Sequence, residues 1–207
     1  QEEQLKDTRI AQPATLAMDI AIKRLFQSFG IEADMVAGHS LGEYAAAVSA
    51  GVLSFRDALR AVSARGREMA AIQLDDPGKM ASIACDIEQL DDILSQCSGY
   101  VIAANKNCPS QTVIAGESDA VNQALSLCKE ARIRAVEIAV SHAFHSNIVA
   151  PASEPLKQVL ETLDIKAPVL PINTNVTGDW LPHTKAEIIE ILGKQIASPV
   201  EWTAQIN

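Results

Sequence analysis

Apolar and polar positions divide this chain into recognisable elements. From Ala14 to Phe29 the residues Met18, Ile22, Leu25, Phe26 and Phe29 recur at helical spacing, and Gly30 stops the run as a helix C-terminal glycine would. The apolar triplet Met35-Val36-Ala37 reads as a short strand, and Glu43 to Val48 reads as a helix ending near Gly51. Ser54 with Asp57 three residues later predicts another helix start. In that helix Ala58, Val62, Met69 and Ile72 form the inward stripe, opposite a wet face of Arg56, Arg60, Ser63 and Arg67. Asp75-Asp76-Pro77-Gly78 is a turn and a boundary.

Past that turn the pattern becomes strand (80–85), helix (87–97), strand (100–104), strand (112–115), helix (118–131) and strand (133–140). This β-α-β-β-α-β order predicts a ferredoxin-like unit over residues 78–138, inserted between 1–77 and 139–207. A helix from Ala152 to Asp164 follows, with Leu156, Val159, Leu160 and Leu163 inward, then a strand from Val169 to Asn173. Thr184-x-x-Glu187 is a capping box opening a helix that runs to about Ala197, before Ser198-Pro199.

Composition narrows the class. With 207 residues and 48% hydrophobic content the chain can bury a sizeable core. It contains no apolar run long enough to span a membrane and no opening signal-peptide pattern, so a cytoplasmic protein is expected. A formal net charge of −9 argues against nucleic acid or an anionic membrane as partner. Cys85, Cys97, Cys108 and Cys128 lack metal-type spacing and read as reduced thiols, with no metal site expected. Asn175-Val176-Thr177 matches a glycosylation sequon, which means little without a secretion signal.

The chemistry centres on Gly38-His39-Ser40-Leu41-Gly42, a Gly-x-Ser-x-Gly turn between a strand and a helix. Small flanking residues allow the sharp turn that lifts a serine hydroxyl clear of the backbone, making Ser40 the candidate nucleophile. The amide of Leu41 and the positive end of the following helix would face a developing oxyanion. Arg65 breaks the pattern of its helix by falling on the inward stripe, where a guanidinium is costly unless an anion meets it. A structural ion pair and a buried ligand carboxylate both fit. Ser141 to Ser146 puts His142 and His145 in one loop, and a serine nucleophile needs a base that titrates near neutrality. Either histidine fits that role, whereas His39 shapes the elbow and His183 lies on the surface. The segment Asn105 to Gln111 is either a polar turn or a lining of the ligand cleft.

With Ser40, Arg65 and His145 in place, the chain resembles the malonyl-CoA:acyl carrier protein transacylase family, including acyltransferase domains of polyketide and polyunsaturated fatty acid synthases. The resemblance rests on Gln12-Pro13-Ala14, Gly38 to Tyr44, Arg65-Gly66 with Met69, Asn107-x-Pro109-x-Gln111, His142 to Ser146, and Ser198-Pro199-Val200-x-Trp202. It implies an α/β fold, with an α/β-hydrolase-like large subdomain interrupted by the ferredoxin-like one and the active site between them. It implies that Ser40 is acylated, His145 is the general base, and a backbone carbonyl near Ser198 orients that base. Arg65 would clasp the malonyl carboxylate and Phe144 would sort malonyl from its α-methyl homologue, with His39 and Asn107 also at the substrate. The implied substrate is malonyl-CoA, a coenzyme A thioester. The implied acceptor is the phosphopantetheine thiol of an acyl carrier protein, among neighbouring synthase domains and without a bound cofactor. A serine hydrolase clearing acyl groups from carrier proteins is the alternative. The family's glutamine-containing glycine-rich loop and its C-terminal Gly-Pro-Gly segment are not found, so the resemblance implies an interior piece of the domain.

Overall fold

A computed structural model describes residues 7–207. Helix α1 (Thr8–Ser28) starts six residues before the predicted one because Asp7 caps it, its carboxylate accepting from the Arg9 amide at 2.9 Å. Pro13 lies inside the helix, at the cost of one main-chain hydrogen bond. Gly30 follows the helix with φ 76°, the left-handed conformation that suits glycine.

The apolar residues whose spacing predicted α1 are not the ones it buries. Met18, Leu25, Phe26 and Phe29 are each more than half exposed, while Gln12, Leu16 and Ile20 face the interior. The helix carries two lines of residues at helical spacing, and the buried one packs on α3 (Phe55–Ala71). Gly66 makes this approach possible, since a Cβ there would lie 2.7 Å from the Thr8 carbonyl oxygen. The close contact carries Gln12 to Arg65, which turns inward from α3 as its sequence position predicts.

Around these helices a first core gathers α2 (Gly42–Ser49), α6 (Ser153–Glu161) and α7 (Lys185–Lys194), with Tyr44, Leu156, Leu160, Ile188 and Leu192 fully or almost fully buried. The strands predicted at 35–37 and 169–173 reduce to single bridges, Val36 with Ile172 in parallel and Asn173 with Trp180. Pro168 and Pro171 have no N–H to give to a ladder, and Gly38 turns the chain away just after Val36. The helix predicted from Ala152 starts one residue later, behind a 3-10 turn from Asn147 to Ala152.

The middle of the chain forms a four-stranded antiparallel sheet in the order β2-β3-β1-β4, from β1 (Lys79–Ile83), β2 (Val101–Cys108), β3 (Gln111–Gly116) and β4 (Ala135–Ile138). Strand alternation sends Ala81, Ile83 and Ile114 toward α4 (Ile87–Ser95) and α5 (Ser118–Glu130). The other face presents Met80, Val113 and Ala115 to Ala143 and Phe144. β2 and β3 extend further than predicted and meet at Pro109-Ser110, so Asn105 to Cys108 are strand residues and not a loop. Val200 then adds to the edge of β2: its amide donates to the Ala104 carbonyl at 2.8 Å and its carbonyl accepts from the Lys106 amide at 3.0 Å. A short α8 (Trp202–Ile206) follows. All four cysteines are free thiols, and no helix among the described residues is long and apolar enough to cross a membrane.

Asp76 joins the boundary turn to the sheet unit. Its carboxylate accepts from the Gly78 amide at 2.9 Å and from both the amide and hydroxyl of Ser118 at the start of α5. Those bonds hold its carboxyl below the usual range. Asp76→Ala should lower stability by about 1 kcal/mol, as loss of a helix cap does. Denaturant unfolding at pH 7 measures it. The difference between the two proteins should shrink as pH falls through the lowered carboxyl pKa, because the protonated group accepts poorly.

Candidate active site

The elbow is built from backbone constraints. Val36 is pinned by its amide to the Pro171 carbonyl at 2.9 Å, and the chain then folds back so that the Gly42 amide donates to the His39 carbonyl at 2.9 Å. Gly38 is required: a Cβ there would sit 2.1 Å from the Gly42 carbonyl carbon, whereas a Cβ on Gly42 meets nothing within 4 Å. Ser40 lies at φ 52°, in the left-handed region, and His145 at φ 59°. Such conformations in residues other than glycine cost on the order of 1–3 kcal/mol and persist where the surroundings over-determine them.

Two buried amides supply that constraint. Asn175 accepts the Ser40 amide on Oδ1 and donates to the Gly38 carbonyl from Nδ2, each at 2.6 Å. Gln195 donates from Nε2 to the Ser40 carbonyl at 2.6 Å. Beneath them Glu43, fully buried in the first turn of α2, accepts Gln195 Nε2 at 2.9 Å and the Asn175 amide at 3.3 Å. Burial pushes the Glu43 carboxyl up to about 7, opposed by these donors and by the charge of Arg65. Asn175 is completely buried and doubly bonded, so the sequon is a structural amide within the elbow.

His145 Nε2 lies 2.7 Å from Ser40 Oγ. Its Nδ1 lies 3.1 Å from the Ser198 carbonyl oxygen and 3.1 Å from that of Gln195. Two acceptors at Nδ1 place the hydrogen there and leave Nε2 bare to receive the serine proton. Burial, helped by the Arg65 charge, pushes the imidazole down to about 3, so the ring is neutral above the acid range. His142, the other histidine of this loop, stacks at a tilt on Phe144 with centroids 6.2 Å apart.

A cavity of about 310 Å³ opens above this pair, lined by Ser40, His145, His39, Arg65, Phe144 and Asn107 with apolar residues of α3 and the sheet. Arg65 is 3% exposed, donates to Gln12 Oε1 at 2.9 Å and to Gln195 Oε1 at 3.2 Å, and has no acceptor on Nε. Among the described residues it forms no ion pair, so the structural ion pair considered from sequence is replaced by two neutral amides. His39 Nε2 meets Asn107 Oδ1 at 2.8 Å and packs edge-on to Trp202, 5.5 Å between centroids. Asn107 is thereby a wall of the cleft, tied to Gln111 at 3.3 Å and on to Ser82. No hydrogen bond takes up the Leu41 amide among the described residues. The arrangement suits acyl chemistry on the serine: a base on the hydroxyl, a free amide at a helix start, and an anion-binding side chain in the same cavity. Among the described residues no group of three His, Cys, Asp or Glu is placed to hold a metal.

The sequence brought out Ser40, Leu41, Arg65, Phe144, His145, His39, Asn107 and Ser198, and all of them border this cavity or touch its residues. It gave no role to Glu43, Asn175 or Gln195. The available signals were weak: a glutamate in a first helical turn, an asparagine in a sequon, and a glutamine flanked by Lys194 and Ile196.

Residues 1–202 match the family model described as the acyl transferase domain. The chain is 42% identical over 210 residues to a malonyl CoA-acyl carrier protein transacylase of Bacillus subtilis (strain 168), covering 99% of this chain and 66% of that protein. Its fold matches an acyl-carrier-protein S-malonyltransferase from Burkholderia pseudomallei 1710b with TM-score 0.93 and 36% identity, over 99% of this chain and 68% of that one. It also matches a malonyl-transacylase solved in complex with a type II polyketide synthase acyl-carrier protein, with TM-score 0.90 and 38% identity, over 98% of this chain and 67% of that one. The chain thus spans about two thirds of the length of these relatives.

Gly38→Ala should abolish labelling of Ser40 by a fluorophosphonate, because the elbow cannot close, whereas Gly42→Ala should keep labelling within a few-fold and leave the melting temperature unchanged or higher. Labelling followed by intact-mass measurement, with circular dichroism melts, checks both. A second expectation concerns pH. Folded Glu43 holds its proton up to about 7 while the unfolded side chain releases it near 4.5, so its contribution weakens the fold as pH rises between those values. Glu43→Gln removes that slope. The stability of the variant relative to the parent should therefore climb by a few kcal/mol between pH 4.5 and 7.5, read by denaturant unfolding. His145 acts in the opposite sense, with stability gained from about 3 to 6.5 as pH rises, and this contribution cancels in the comparison.

Proposed function

This chain belongs to the acyl transferase domain family, and from that premise we propose that it carries malonyl groups from coenzyme A, through an ester on Ser40, to the phosphopantetheine thiol of an acyl carrier protein. The observation that carries this reading is Arg65, a buried guanidinium held, among the described residues, by two neutral amide oxygens in the cavity that also holds Ser40 and His145. Arginine presents a planar fork to a carboxylate, and malonyl bears one where acetyl bears none.

In the proposed sequence the Ser40 hydroxyl gives its proton to His145 Nε2 as Oγ attacks the thioester carbonyl. The carbonyls of Ser198 and Gln195 stabilise the imidazolium that forms, in place of the acid found in hydrolase triads. The oxyanion meets the Leu41 N–H and the positive end of α2. Collapse expels the coenzyme A thiolate, which takes the proton back from His145, and the carrier thiol repeats these steps in reverse. Phe144 bounds the space beside the acyl α-carbon, and the bonded pair His39 and Asn107 lines the same cavity. No bound cofactor enters the scheme.

We assign 1–77 and 139–207, whose described residues form the helical core, as the α/β-hydrolase-like large subdomain and 78–138 as the ferredoxin-like small one. The strand order β2-β3-β1-β4 with two helices on one face supports the second assignment. Transfer is favoured over hydrolysis by the relatives, which are named as a transacylase, an S-malonyltransferase and a malonyl-transacylase.

Exposing the intact protein to labelled malonyl-CoA, with and without carrier protein, tests the reading. Covalent label on Ser40 that passes to the carrier supports it; free malonate in its place establishes the hydrolase. Ser40→Ala should retain no acyl mass. Arg65→Ala should lower the ratio of kcat/KM for malonyl-CoA over acetyl-CoA by roughly 10²-fold, the worth of a charge-assisted contact. An unchanged ratio in a folded variant would remove the carboxylate-clamp role.

A further inference from the structure

Beneath the elbow one buried carboxylate meets both amides that hold the nucleophile. Gln195 faces three ways at once: Nε2 gives hydrogens to Glu43 and to the Ser40 carbonyl, Oε1 receives the Arg65 guanidinium, and its main-chain carbonyl receives His145 Nδ1. A carboxamide can be turned end for end at little steric cost, so something must fix which end meets the arginine. Glu43 does this, because both of its oxygens are placed as acceptors, Oε1 for the Asn175 main-chain amide and Oε2 for Gln195 Nε2. With the carboxylate on one side and a carbonyl beside it, the NH₂ end is drawn inward and the oxygen is left for Arg65. Asn175, whose amide also donates to Glu43, is held in register by the same group.

We propose that Glu43 is a positioning residue for substrate selection: by fixing the sense of the Gln195 carboxamide it sets Arg65, and with it the preference for an acyl group that ends in a carboxylate. This rests on the malonyl-transfer reading of the site. Glu43 touches no reacting atom and acts only through Gln195 and Asn175.

The isosteric change Glu43→Gln isolates the effect. A glutamine offers one acceptor where the carboxylate offers two, so either the Asn175 amide or Gln195 Nε2 then faces an N–H. Turning Gln195 over relieves that conflict, but it presents NH₂ to Arg65 and oxygen to the Ser40 carbonyl. The guanidinium loses an acceptor and its orientation.

A double-mutant cycle tests the proposal, using Glu43→Gln, Gln195→Met and the pair. Gln195→Met keeps the main-chain carbonyl on His145 while removing the carboxamide, and it serves as entry point should Glu43→Gln fold poorly. In each single variant the malonyl-over-acetyl ratio of kcat/KM should fall about tenfold, chiefly through a raised malonyl KM. The pair should be within twofold of Gln195→Met alone. Additive losses, or equal losses for malonyl and acetyl, would overturn the relay. The same cycle is read independently by the rate of fluorophosphonate labelling of Ser40, whose carbonyl Gln195 holds, and there also non-additivity supports the relay and additivity overturns it. Labelling needs no malonyl, so a parent protein that fails to load malonyl sinks the transfer reading while the cycle still decides on Glu43.

Discussion

A guanidinium inside a protein must be met by something, and here it is met by two neutral carboxamides. Hydrogen bonds to amide oxygens satisfy part of the donor set without neutralising the charge, so Arg65 keeps its pull on an anion. Much of the local architecture follows from this. Gly66 lets α1 press against α3 so that Gln12 reaches Arg65, and the end of α7 delivers Gln195 from the other side. The positive charge also bears on His145, helping to keep it unprotonated and able to accept. A carboxylate bound at Arg65 would offset that repulsion, so in the proposed mechanism an acyl group that fits would raise the proton affinity of His145.

The elbow depends on a second constraint, the left-handed conformation at both Ser40 and His145. Each is held by main-chain bonds to distant parts of the chain: Ser40 to Asn175 and Gln195, His145 to Ile196. The strain at Ser40 and His145 is balanced by contacts more than 50 positions away in sequence, so the pair can be held this way only within the folded helical core.

Ser40, the pair His142 and His145, and Arg65 stood out in the sequence because each violates the expectation for its surroundings: a serine between glycines, histidines crowded into a loop, and an arginine on an apolar stripe; only the family resemblance chose His145 over His142. Glu43, Gln195 and Asn175 violate nothing locally. A glutamate in a first helical turn is what the helix dipole favours at a surface, and its complete burial arises only from tertiary packing. The same reason misdirected the reading of α1, where Met18 and Phe26 advertise a face that the fold leaves exposed and the buried line includes a glutamine. The sheet unit was legible in order and type because short strand-like runs and two helical runs follow one another between turn residues, although β3 is buried on both faces and does not alternate. The strands at Val36 and Ile172 were overestimated because prolines and a glycine turn cut the ladder to one bridge.

The sheet and His145 are tied together by hydrogen bonds through a segment that belongs to neither. Val200 joins the edge of β2 by two main-chain bonds, Lys106 pairs with Glu201 at 2.8 Å, and Thr203 donates to the Lys106 carbonyl. Two residues earlier, the Ser198 carbonyl holds His145. Residues 79–138 look like a cassette that recombination could lift out at Asp76 and Val140, yet the ladder they present on β2 is completed by 198–203. A chimaera that imports a foreign sheet without its matching Ser198 to Thr203 segment would inherit a mismatched edge and shift the carbonyl behind the histidine. In this fold the unit of exchange is therefore discontinuous in the gene although contiguous in space.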